Sequence, residues 1–203
     1  RSGQMDKAVA ALQPLIEKNP EDPANLTLAG QVYFEGGFPQ KAEEFFTKAA
    51  KYNSGDRASR TRIAIAHLAQ GNSDVAFSEL EEIAASGSGT AADMALIAAH
   101  LQRKEYSQAL KGIDTLEKKV PNEPFPHILR GRTLASMNDL PGARQSFERA
   151  LAISPTYFPA ASALAKLDLL EKKIDSARKR FDSLLALDPK NVDALLALGR
   201  LAI

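Results

Sequence analysis

The sequence predicts an all-α fold, a right-handed superhelical solenoid of helix–turn–helix units. Three observations carry that expectation. The stretch "ARQSFERALAISPTYFPAASALAKL" at 143–167 is answered 34 residues later by "ARKRFDSLLALDPKNVDALLALGRL" at 177–201. Columns of like residues recur at about that spacing along the whole chain. Within each unit the apolar residues keep the period of a helix rather than of a strand.

The second helix of each unit is the easiest to place. Its small column is Ala8, Ala42, Ala76, Ala109, Ala143 and Ala177. Four residues on come Leu12, Phe46, Leu80, Ile113, Phe147 and Phe181, and three further Leu15, Ala49, Ile83, Leu116, Ala150 and Leu184. Positions i, i+4 and i+7 share one helix face. The first helix carries Gly30, Ala64, Ile97, Gly131, Ala165 and Gly199, and small residues there let the two helices of a unit approach closely. The bulky column is expected to wedge between one unit and the next. Gly36-Gly37, Gly71-Asn72 and Asn138-Asp139 mark the turn inside a pair. Pro20, Ser54, Ser88, Pro121, Pro155 and Pro189 follow the second helices, where a proline cannot continue the helix. One residue is missing from the register, and the turn "SGSG" at 86–89 absorbs it.

These columns give full units at 23–56, 57–89, 90–123, 124–157 and 158–191. Residues 1–22 supply only a second helix, and 192–203 only a first. One helix pair cannot bury its own apolar face, so copies stack until a continuous core forms. The expectation is a single array that is a segment of a longer protein. Its half-units would be able to complete one another head to tail between molecules.

The set Gly30, Tyr33, Ala42, Phe46, Ala49, and the set Gly131, Ala143, Phe147, Ala150, Pro155, resemble the tetratricopeptide repeat over the whole chain. Two longer stretches resemble something narrower. "SPTYFPAASALAKLDLLEKKIDSARKRFDSLLALDPKNVDALLALGRLA" and "AADMALIAAHLQRKEYSQALKGIDTLEKKVPNEP" are similar to the tetratricopeptide-repeat lipoproteins of PEP-CTERM protein-sorting systems. That resemblance implies a parent lipidated on an N-terminal cysteine. It implies a place in the envelope of a Gram-negative bacterium, in the periplasm or associated with the outer membrane. The implied partners belong to exopolysaccharide export and to the sorting of proteins with a C-terminal PEP tag.

Composition narrows the function from another side. Lys+Arg number 26 and Asp+Glu 25, a balance that speaks against a nucleic-acid or membrane-surface binder. Cysteine is absent, which removes disulfides and thiolate metal sites and fits cytoplasm and periplasm equally. No apolar run reaches the roughly 20 residues that cross a bilayer. No catalytic motif, phosphate loop or metal-ligand spacing occurs, so neither a cofactor nor an enzymatic activity is expected. His67 and His100 occupy equivalent places in adjacent units with no ligand-spaced Cys or carboxylate beside them. The acid pairs Glu43/Glu44 and Glu81/Glu82 read as solvated outer surface. So does "RKR" at Arg178–Arg180, diluted by Asp168, Asp175 and Asp182.

The informative surface is the concave groove, to which the resemblance assigns places two, five, six, nine, twelve and thirteen of each unit. Apolar candidates are Phe34, Ile65, Leu68 and Leu101, with Met94 beside them. Place nine gives a basic ladder of Arg132, Lys166 and Arg200. A groove apolar at one end and basic at the other suits an extended peptide with an acidic stretch or a carboxylate. The competing reading is that the ladder only balances nearby carboxylates such as Asp168 and Asp193. Place six (Leu28, Arg62, Ala95, Leu129, Ala163, Ala197) has no Asn, so the carboxylate clamp of tetratricopeptide co-chaperones is not reproduced. Two functions follow: a non-enzymatic protein–protein scaffold that takes a peptide or partner helix, or a carbohydrate-binding module for an exopolysaccharide. Phe125 and Phe158 are the rings that could stack on a sugar, although Trp is absent.

Overall fold

A computed structural model describes residues 2–52, 57–87 and 89–201, with side chains from residue 7 onward. Among these residues there are twelve helices and no strand. The helices are α1 (Ser2–Lys18), α2 (Pro23–Glu35), α3 (Pro39–Tyr52), α4 (Arg57–Gln70), α5 (Ser73–Ala85) and α6 (Ala91–Gln102). They continue with α7 (Tyr106–Lys119), α8 (Phe125–Ser136), α9 (Leu140–Ile153), α10 (Phe158–Leu170), α11 (Ile174–Leu187) and α12 (Val192–Leu201). The chain divides into two compact units, one through Ala99 and one from His100 onward.

The all-α fold class is the expected one, and its cause is visible in the columns. Ala42, Ala76, Ala109, Ala143 and Ala177 are fully buried. Phe46, Leu80, Ile113, Phe147 and Phe181 beside them are at most 4% exposed. Gly30 and Gly131 face the rings of Phe46 and Phe147 so closely that a Cβ would overlap them. The bulky column therefore packs first against the small column of its own pair. It also reaches the next pair, because Phe147 shares a core cluster with Ala160, Leu164 and Leu167 of α10. In the same way Phe181 shares one with Ala194 of α12. In the first unit Ala64, Leu80, Ile83 and Ala92 join α4, α5 and α6. Leu15 of α1 is 46% exposed, unlike the rest of its column. Ser54 and Ser88 of the proline column lie outside the described residues.

Five turns that link a first helix to its second are built alike. Gly37, Gly71, Lys104, Asn138 and Lys172 all adopt left-handed φ, between 59° and 89°. The next residue in each case donates its N–H to a carbonyl five residues back: Phe38 to Tyr33, Asn72 to His67, Glu105 to His100, Asp139 to Leu134 and Lys173 to Asp168. With the companion bond from the left-handed residue to the carbonyl three back, this is the Schellman closure of a helix. Glycine and asparagine reach that region cheaply, whereas Lys104 and Lys172 do not. Their turn role was therefore not visible in the residue types.

Candidate partner-binding surfaces and polar junctions

Arg132 on α8, Lys166 on α10 and Arg200 on α12 are all exposed, and none forms an ion pair among the described residues. Asp168 does not balance them. Its side chain is only 3% exposed, and its two oxygens are held by Arg144 at 2.6 Å and Arg180 at 3.0 Å. Asp193 is exposed and likewise without an ion pair among the described residues. The carboxylate-balancing account of the ladder therefore fails at Asp168. "RKR" is also not uniformly a solvated face, because Arg180 is engaged while Arg178 and Lys179 are exposed.

The apolar candidates are less open. Phe34, Ile65, Leu68 and Leu101 are all half-buried, and Leu68 packs on the Ala64–Leu80–Ile83–Ala92 cluster. Met94 is 44% exposed. Other open apolar side chains were missed. Leu28 is 44% exposed and, with Ala24, Thr27, Gln31 and Arg62, lines a depression of about 450 Å³ between α2 and α4. Leu169 and Leu170 are 39% and 71% exposed and lie one helical turn past Lys166. Their places, twelve and thirteen, were the available signal. Phe158 stacks on Phe181 with ring centroids 6.0 Å apart, so its ring is occupied by packing.

A second kind of site joins the helices. His67 of α4 sets Nδ1 3.0 Å from Glu79 of α5 and Nε2 3.3 Å from Glu43 of α3. Gln70 donates to the other oxygen of Glu43 at 2.7 Å. Glu43 is thus part of a junction and not free outer surface, whereas Glu44, Glu81 and Glu82 are exposed. Carboxylates from other turns and helices do come beside the histidines in space. His100 meets Glu105 at 2.7 Å, and His127 meets Glu117 at 3.1 Å. No cluster fit to hold a metal occurs among the described residues. At His67 the reason is geometric: the two carboxylates sit on opposite nitrogens of one ring, and one ion cannot reach both.

The Asp168 junction repeats the His67 junction with the charges exchanged. In each, a residue of the first helix takes one partner 12 residues downstream: Glu79 for His67, Arg180 for Asp168. It takes another 24 residues upstream: Glu43 for His67, Arg144 for Asp168. Gln70 and Glu171 bond that upstream partner across the same 27-residue separation. Tyr33 stands at the equivalent place in α2, stacked on Phe45 with centroids 5.3 Å apart and lining a cleft with Val9. That junction is aromatic and apolar.

Protonation follows from these surroundings. For His67, burial pulls the pKa down most, but hydrogen bonds and charge from Glu79 and Glu43 together outweigh it and hold the pKa above the usual value. For His127, burial lowers the pKa, Glu117 offsets part of this, and Arg149 and Arg130 reinforce the lowering. The His127 Nδ1 is near Glu117 but off the line of a hydrogen bond, and it is buried without another partner. Glu117 instead accepts from Arg130 at 2.8 Å.

Comparison with known proteins agrees with this architecture. Tetratricopeptide repeat families match residues 134–198 and 1–58, together more than half of the chain. This chain is a tetratricopeptide-repeat protein. Its fold resembles a thermophilic tetratricopeptide-repeat protein of Thermus thermophilus, at 23% identity and TM-score 0.61, covering 89% of this chain and 98% of that one. Yeast Tom70 aligns at 15% identity and TM-score 0.74 over 94% of this chain and 41% of its own. YrrB, described as a tetratricopeptide-repeat protein with an unusual peptide-binding site, aligns at 17% identity and TM-score 0.52 over 92% and 97%. No curated protein matches the chain. No helix among the described residues is long and apolar enough to cross a membrane.

Proposed function

We propose that this protein is a non-enzymatic scaffold that holds an acidic peptide or partner helix on the first-helix surface of its second unit. The observation that carries the reading is the ladder of Arg132, Lys166 and Arg200, without an ion pair among the described residues, with Leu169 and Leu170 exposed one turn beyond Lys166. Such cations beside open apolar side chains suit a ligand that alternates carboxylates with bulky residues. Leu101 in the same unit would add an apolar contact. The peptide-binding site described for YrrB, on a related fold, is consistent with such use.

The setting is proposed from the resemblance of residues 91–124 and 154–202 to PEP-CTERM lipoproteins. The parent would be a longer, lipid-anchored array in a bacterial envelope, serving exopolysaccharide export or protein sorting. The test of the scaffold is titration of the chain with acidic amphipathic peptides, followed by the triple variant Arg132→Glu, Lys166→Glu, Arg200→Glu. Binding should fall at least tenfold with helicity unchanged. Equal affinity of the variant would remove the ladder from the site.

A further inference from the structure

The His67 junction can satisfy both of its contacts in only one protonation state. A neutral imidazole has one donor nitrogen and one acceptor nitrogen, while the imidazolium has two donors. Here each nitrogen faces a carboxylate oxygen, Nδ1 toward Glu79 and Nε2 toward Glu43. In the neutral ring one of those contacts becomes acceptor against acceptor. The surroundings offer no substitute cation among the described residues. α3 presents Glu43 and α5 presents Glu79. α4 itself adds only the neutral Gln70, and Arg60 of α4 is engaged by Glu82. α6 adds the apolar Ala92, Ala95 and Leu96 to the cluster that it shares with α4 and α5. Neither Glu43 nor Glu79 pairs with any other charged group among the described residues.

We propose that His67, Glu43 and Glu79 form a proton-operated clamp on the α3–α4–α5 junction, closed with two bonds when the ring is doubly protonated and released on one side when it is not. The raised pKa of His67 agrees with that geometry. A histidine whose folded pKa lies above its unfolded one adds stability in full below about 6.5, and loses it as pH rises through the folded value. The clamp is thus closed below about pH 6.5 and loosens as pH rises through the raised folded pKa. The equivalent Asp168 junction pairs a carboxylate with two guanidinium groups and contains no histidine. Ile65 and Leu68 ride on α4, so the clamp would also govern how they are presented. The clamp itself does not rest on the proposed function.

The test follows the His67 ring by NMR across pH on the full chain. It is combined with amide hydrogen exchange of α4 and α10, corrected for intrinsic rates. The ring should titrate above the unperturbed value, and α4 protection should fall several-fold through the same range while α10 protection holds. A ring titrating at or below about 6.5, or α4 protection unchanged through the titration, would overturn the clamp. A transplant variant, Glu43→Arg, His67→Asp, Glu79→Arg, copies the Asp168 junction and should make α4 protection insensitive to pH. If the transplant unfolds, Glu79→Gln decides: it should lower the His67 titration midpoint, and an unmoved midpoint refutes the proposal.

Discussion

The His67 and Asp168 junctions are one design executed with opposite charges, and burial separates their energetics. The central Asp168 side chain is 3% exposed, while the His67 side chain is 16% exposed. The arginines around Asp168 are 24% and 29% exposed, against 34% and 36% for the glutamates around His67. A deeply buried charge depends on its partners because it has surrendered its water. A histidine that keeps some contact with water can give up its charge, or regain more water, when a partner is lost. Identical geometry therefore yields a fixed joint in one unit and an adjustable joint in the other.

The comparison can be broken most severely at Asp168. Replacing Arg144 and Arg180 together by Ala should cost about 3–5 kcal/mol, since the carboxylate stays buried without compensation. The matching change at the other junction, Glu43→Gln with Glu79→Gln, should cost below about 1 kcal/mol at neutral pH. Guanidinium unfolding of both double variants measures the contrast, and equal losses would dissolve it.

A smaller effect tests the packing that both units share. Gly131→Ala pushes a methyl into the Phe147 ring and should cost about 1–3 kcal/mol. Gly30→Ala against Phe46 should behave alike in the first unit. Wild-type stability in both variants would mean that the rings yield freely.

Proton dependence sharpens the contrast between histidines. His67 favours the folded state below its raised pKa, so the first unit should weaken as pH rises above about 6.5. His127 is held neutral by burial, so the second unit should weaken as pH falls from about 6.5 through the lowered folded value. Residue-resolved exchange in mild acid, at neutrality and in weak alkali should show the two units changing in opposite directions. Parallel changes would contradict the assignment.

The smallest expected effect lies in the turns. Lys172→Gly and Lys104→Gly relieve left-handed strain and should each raise stability by about 0.5–1 kcal/mol. A loss of stability in thermal unfolding would show that the lysine side chains matter more than the backbone.

The sequence determined the helix pairs by itself. Their evidence is local or periodic: small and bulky residues at fixed offsets, prolines after second helices, and glycine or asparagine in three of the turns. The Lys104 and Lys172 turns escaped notice because lysine carries no turn preference, and the shape of the pair imposes left-handed φ on whichever residue stands there. Exposure of Arg132, Lys166 and Arg200 was legible from their shared place. Their freedom from ion pairs was not, because a carboxylate two residues away in sequence, Asp168, turns out to be buried against other arginines. The junctions were the least legible. Their members lie 12 and 24 residues apart on three helices, and the central place reads Tyr33, His67 or Asp168, with no common residue type. What recurs there is complementarity between neighbours. Charge and size were matched only once α-helices from successive repeats met, so tertiary structure alone decided which residues became partners.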